Sequence, residues 1–179
     1  MRVQVDNWRW AGVPFLLRTG KRLHKRVSEI AVFFKKPPLQ FFRKDSNPNL
    51  CLLADRPKAN QLIFRIQPDE GISLTFASKR PGMKLDLEQV NMDFFYRQAF
   101  SERSPEAYER LLLDALRGDA SLFTRSDEVE FAWRFIHAIH QGWAADPHPP
   151  VHYTAFTDGP REARRLTDGI ASWRPLQQM

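Results

Sequence analysis

Leu62-Ile63-Phe64-Arg65-Ile66-Gln67-Pro68-Asp69-Glu70-Gly71-Ile72-Ser73-Leu74-Thr75-Phe76-Ala77 is the stretch that decides the fold. Leu62, Phe64 and Ile66 alternate with Ile63, Arg65 and Gln67, and Ile72, Leu74 and Phe76 alternate with Ser73, Thr75 and Ala77. A period of two belongs to extended backbone, whose side chains point to opposite faces in turn. Between the runs stands Pro68-Asp69-Glu70-Gly71, where proline presets φ and glycine admits positive φ. The pattern predicts a β-hairpin of strands 62–67 and 72–77.

Two more strands flank it, at 27–34 and 84–96. In the second, Leu85 and Leu87 share one face while Val90, Met92, Phe94 and Tyr96 take the other parity. A bulge near Glu88-Gln89 would reconcile the two registers. Helices follow. Ser104-Pro105-Glu106 supplies an N-cap, a first-turn proline and an acid, and Gly118 stops the stripe of Tyr108, Leu111, Leu112, Ala115 and Leu116. Ser126-Asp127-Glu128 opens a second helix with the apolar stripe Val129, Ala132, Trp133, Ile136, Ile139 and His140. A short helix is expected after Pro160, from Arg161 to Leu166. Segment 43–61 is polar and turn-rich, and Pro147, Pro149 and Pro150 mark a loop. Strands in one block and helices in the next give an α+β fold, an antiparallel sheet covered by helices.

The 179 residues suffice for one domain with a core, and 42% hydrophobic with 27% charged residues excludes global disorder. The single cysteine, Cys51, cannot form an internal disulfide. Residues 1–6 lack the apolar core of a signal peptide, and no run approaches the roughly 18 apolar residues of a membrane helix. The expectation is a cytoplasmic protein with no membrane partner. A net charge of +6 suits an anionic partner such as a phosphate, a nucleotide or nucleic acid, and equally describes a mildly basic surface.

Some chemistry is excluded. No two of the eight glycines lie closer than eight residues. A dinucleotide fingerprint needs glycines two and three apart, and a phosphate-binding loop needs them five apart. His137 and His140 lie three apart on a predicted helix, but no acid or thiol nearby completes a ligand set, so no metal site is expected. His140 is expected as a hydrogen-bonded core residue and His137 as a surface one. Cys51 has no local base to lower its pKa, and no serine sits in a nucleophile elbow, so no catalytic residue is assigned.

The densest signal is 8–26. An apolar run through Phe15-Leu16-Leu17 ends at Gly20, and Arg18, Lys21, Arg22, Lys25 and Arg26 place five cations within nine residues. Gly20 lets the chain turn sharply, so that Lys21 projects from a fixed point and offers charge and three donors to a hydroxylated or phosphorylated ligand. By pattern alone a solvated basic loop accounts for it as well. Arg65 and Gln67 share a strand face at the hairpin mouth, where by pattern they are the wet face of a sheet.

Arg9-Trp10-Ala11-Gly12-Val13-Pro14-Phe15-Leu16-Leu17-Arg18-Thr19-Gly20-Lys21-Arg22-Leu23 closely resembles the start of the C-terminal domain of the glucose-6-phosphate dehydrogenases. The resemblance continues through Ile66 to Ile72, Glu106 to Asp114, Leu122 to Glu128 and Trp173-Arg174-Pro175-Leu176, in order along nearly the whole chain. It implies one domain over 1–179, with a large, mainly antiparallel sheet and α-helices packed on one face. Enzymes of that family oxidise glucose 6-phosphate to 6-phosphogluconolactone and pass the hydride to NADP, in the oxidative pentose phosphate pathway. The resemblance implies that the coenzyme and the catalytic histidine–aspartate pair belong to an N-terminal half absent here, leaving a truncated product or isolated domain that is inactive alone. It assigns substrate contacts to Lys21, Arg26 and Gln67, and a homo-oligomer, a dimer, to the sheet. Cations and an amide suit a dianionic phosphate and its hydroxyls; they position the sugar without taking its proton. Some animal relatives hold a second, structural NADP on this domain. Val27 and Ser73 replace a basic and an aromatic contact of that site, so it is not expected here, and no cofactor-binding residue is assigned.

Two other readings compete. A nucleic-acid module would use Lys35, Lys36, Arg43 and Lys44 interleaved with Phe33, Phe34, Phe41 and Phe42. Packing explains those phenylalanines better, and no nucleic-acid partner is expected. The other reading is a standalone oligomerisation domain.

Overall fold

The computed structural model describes residues 1–36, 59–83, 87–100, 107–170 and 172–176. Cys51, Lys84, Leu85, the Ser104-Pro105-Glu106 cap, and Phe41, Phe42, Arg43 and Lys44 lie outside them. The chain forms two compact units, one of Met1–Glu102 with Thr154–Met179, the other of Arg103–Tyr153.

The first unit holds a short antiparallel pair, β1 (Arg2–Val3) with β2 (Phe15–Leu16), and a four-stranded antiparallel sheet. Its strands are β3 (Ser28–Phe33), β4 (Gln61–Gln67), β5 (Gly71–Lys79) and β6 (Leu87–Phe95), side by side in chain order. The predicted hairpin is present, with Leu62 opposite Leu74 and Phe64 opposite Ile72. A short helix, α1 (Tyr96–Ala99), follows β6, so Tyr96 leaves the strand expected to include it. A 3-10 turn, Arg161–Thr167, stands where the short helix was expected.

Two sequence expectations fail within the sheet. Register between β5 and β6 runs unbroken from Gly71–Phe95 to Lys79–Leu87, so no bulge occurs at Glu88-Gln89. Leu87 simply shares the polar face of Gln89, Asn91 and Asp93. The register shift lies instead between β3 and β4, where Ser28 faces Gln67 and Glu29 faces Arg65, leaving Ile66 as the extra residue. Gly71 is also not a positive-φ turn residue. It is a buried strand residue, and a Cβ there would run into the carbonyl oxygen of Phe94 and the ring of Phe95.

The faces of the sheet carry the main surprise. Apolar Ile30, Phe64, Ile72, Val90, Met92 and Phe94 share one face and are exposed, Ile30 by 55% and Met92 by 62%. The opposite face carries Glu29, Ile63, Arg65, Ser73, Asn91 and Asp93, and it is covered over β3 to β5, where Ile63 and Ser73 are each 3% exposed, while Asn91 and Asp93 on β6 stay exposed. Ser73 Oγ donates to Asp93 Oδ1, and Thr75 Oγ1 donates to Asn91 Oδ1 at 2.8 Å, so the rungs satisfy one another across β5 and β6. The C-terminal segment helps cover it. Arg174 Nε donates to Glu29 Oε1 at 2.9 Å, and Leu176, 4% exposed, donates its amide to Asp158. Arg65 is therefore half-buried beside Phe95 and not on a wet face.

The second unit contains α2 (Ala107–Arg117) and α3 (Ser126–Ala145). Glu128 accepts the Arg125 amide at 3.2 Å and, with Asp127, puts acid in the first turn of α3, as the sequence implied. No residue of α3 is buried. His140 is exposed and stacks on Trp143, centroids 5.6 Å apart, so it is not a core residue; His137 is exposed beside Gln141. Among the described residues no helix is long and apolar enough to cross a membrane.

Candidate functional site

β3 and β4 run antiparallel, so the beginning of one meets the end of the other. Ser28, the first residue of β3, pairs with Gln67, the last of β4. Arg26 lies two residues before Ser28, and Lys21 five residues before Arg26. Arg26 and Gln67 thus come to one end of the sheet, and the side chains of Lys21, Arg26 and Gln67 are each exposed.

Each is set on a braced backbone. Beside Gln67, the Tyr96 amide donates to the Glu70 carbonyl at 3.1 Å, holding the β4–β5 turn to the end of β6. The Arg65 guanidinium lies 4.9 Å from the Phe95 ring centroid, a cation–π contact that ties the end of β4 to the end of β6. The basic loop is fastened at two places. Before Lys21, Arg18 Nη2 donates to the Arg174 carbonyl at 2.8 Å and its guanidinium stands 5.3 Å from the Trp173 ring. After it, His24 donates its amide to Thr157 at 3.0 Å, and Leu23 forms an isolated parallel bridge with Thr157.

The turn is not made where the sequence suggested. The left-handed residue of this loop is Arg22, φ 51°, two positions past Gly20. The sequence also gave no reason to single out the 154–158 segment, whose contacts to the loop run through backbone atoms and leave no mark in residue type.

The arrangement presents cations and an amide on a supported edge. It can bind and orient an anionic, hydroxylated ligand. Among the described residues no cluster of three or more histidines, cysteines or acids is placed to hold a metal ion. NADP is not fitted by these residues: the glycine spacing a dinucleotide turn requires is absent from the sequence. No hydride-transfer step is therefore assigned to this chain.

The family model described as "Glucose-6-phosphate dehydrogenase, C-terminal domain" matches residues 1–174. "Glucose-6-phosphate 1-dehydrogenase 2" of Mycobacterium tuberculosis is 47% identical over 164 residues, 92% of this chain and 30% of that protein. The crystal structure of glucose-6-phosphate 1-dehydrogenase from Mycobacterium avium superposes with a TM-score of 0.76 at 32% identity, over 97% of this chain and 34% of that one. A structure of glucose-6-phosphate dehydrogenase in complex with its substrate glucose-6-phosphate matches with a TM-score of 0.78 at 29% identity, over the same shares. The chain spans about a third of the length of the relatives it matches. By sequence along nearly its whole length, and by fold, this chain belongs to the glucose-6-phosphate dehydrogenase C-terminal domain family.

Proposed function

We propose that this chain is the substrate-side part of an NADP-dependent glucose-6-phosphate dehydrogenase of the cytoplasmic oxidative pentose phosphate pathway. The whole activity removes hydride from C1 of glucose 6-phosphate to the nicotinamide and the C1 hydroxyl proton to a base, giving 6-phosphogluconolactone and NADPH. Base and coenzyme site belong to polypeptide outside this chain. Lys21 and Arg26 meet the sugar phosphate with charge and donors, and Gln67 donates to and accepts from it.

The family match over residues 1–174 carries this reading, and the meeting of Arg26 with Gln67 at one end of the sheet supports it. The exposed apolar face of β3–β6 supports the oligomer part: a homodimer that stacks this face on a second copy would shield Ile30, Phe64, Met92 and Phe94. The isolated chain is expected to form no NADPH from glucose 6-phosphate and NADP, read in the nicotinamide absorbance band. Steady turnover by the purified chain would overturn the division of labour proposed here.

A further inference from the structure

We propose that the 154–159 segment is the positioning element of the Lys21 loop, and that Phe156 is its key residue. The inference rests on the sugar-phosphate reading of Lys21 and Arg26 and adds what holds them in place.

Among the described residues, only Arg22 and Phe156 have positive φ without being glycine, at 51° and 63°. Left-handed backbone is unfavourable for any side chain with a Cβ, and such residues persist where the surroundings over-determine them. These two hold each other. The Phe156 amide donates to the Arg22 carbonyl at 2.7 Å. In return, His24 Nδ1 lies 3.2 Å from the Phe156 carbonyl, a hydrogen bond made by the tautomer with its proton on Nδ1. The His24 amide donates to the Thr157 carbonyl at 3.0 Å. Three hydrogen bonds join residues 22–24 to residues 156–157, which lie more than a hundred positions away in sequence, and they make Leu23 and Thr157 parallel bridge partners.

The Phe156 ring does not explain its backbone, because the residue is 70% exposed. The backbone bonds therefore fix the conformation. Within the segment Thr157 Oγ1 donates to the Thr154 carbonyl at 2.6 Å, and Asp158 anchors it outside by accepting the amide of buried Leu176. The segment thus grips the loop directly between Lys21 and Arg26. Its effect is to reduce the number of loop conformers from which those two cations must be ordered on binding, so it acts on affinity for the sugar phosphate.

The test uses the 179-residue chain labelled with nitrogen-15, titrated with glucose 6-phosphate to about 20 mM, since half a pocket is expected to bind in the millimolar range. Shifts at Lys21 and Arg26 give the dissociation constant. Phe156→Pro, which removes the amide and fixes φ near −65°, is expected to raise it about fivefold or more. Phe156→Val keeps the amide but resists left-handed φ, and is expected to raise it by about threefold. Phe156→Gly tolerates left-handed φ and is expected to leave it within about twofold. Ile63 and Ser73 resonances report the sheet, so a variant that unfolds is recognised and the valine–glycine contrast then decides. A dissociation constant unchanged in both the proline and the valine variants overturns this inference alone, as does loop-like amide exchange at Phe156 and His24 in the unsubstituted chain. Absence of any shift at Lys21 and Arg26 in the unsubstituted chain overturns the sugar-phosphate reading, and this inference with it.

Discussion

Glu29 on β3 and Arg174 form an ion pair at 2.9 Å across 145 residues of sequence, and both side chains are largely removed from solvent. Arg174 also receives Arg18 on its carbonyl, so one residue ties the strand that leads from the basic loop to the segment that flanks it. Removing only one partner leaves a charge with little water around it. Arg174→Met is therefore expected to cost about 3 kcal/mol in urea unfolding, while Glu29→Gln with Arg174→Met together cost less than the sum. An additive pair would mean that the two side chains do not sense each other.

Gly71 is a matter of space. Its missing Cβ leaves room for the Phe94 carbonyl and the Phe95 ring, and backbone does not yield as a flexible side chain does. Gly71→Ala is expected to destabilise by about 3 kcal/mol. Gly118, at φ 71° in open space, pays only for its conformation, so Gly118→Ala is expected to cost about 1 kcal/mol. Thermal unfolding of the two variants checks the order; equal losses would contradict the steric account.

The exposed sheet face predicts self-association. Met92→Lys sets a charge in the middle of that face at little cost to the fold, because Met92 is already exposed by 62%. The weight-average mass in sedimentation is expected to fall to that of one chain, with the dissociation constant raised about tenfold or more. A substituted chain that associates as before would place the oligomer contact elsewhere.

How much of this was legible in the sequence depends on where the information lies. Period-two alternation located β4 and β5, and acids at 127 and 128 marked the start of α3, because those signals are local. Which face of the sheet is covered was not legible. Alternation says that Ile63 and Phe64 point oppositely, but only the packing partner decides that Ile63 is buried and Phe64 exposed. The bulge was misplaced for a related reason: Leu87 suggested a phase change, yet it is a single apolar residue at the strand end on the polar face. Gly71 was recognised as necessary for the wrong cause, since sequence cannot tell a turn from a close approach. At the site, Lys21, Arg26 and Gln67 rest on resemblance. Arg22 and Phe156 carried no signal, because neither residue type announces left-handed backbone.

The central claim is that the ammonium of Lys21 grips the sugar phosphate beside a hydride-transfer site built by other polypeptide. Its most direct test joins this chain to the N-terminal two-thirds of the Mycobacterium tuberculosis relative and follows NADP reduction. In that chimera Lys21→Ala is expected to raise the KM for glucose 6-phosphate about tenfold or more while the KM for NADP stays within about twofold. An unchanged KM for glucose 6-phosphate in an active chimera would contradict the account.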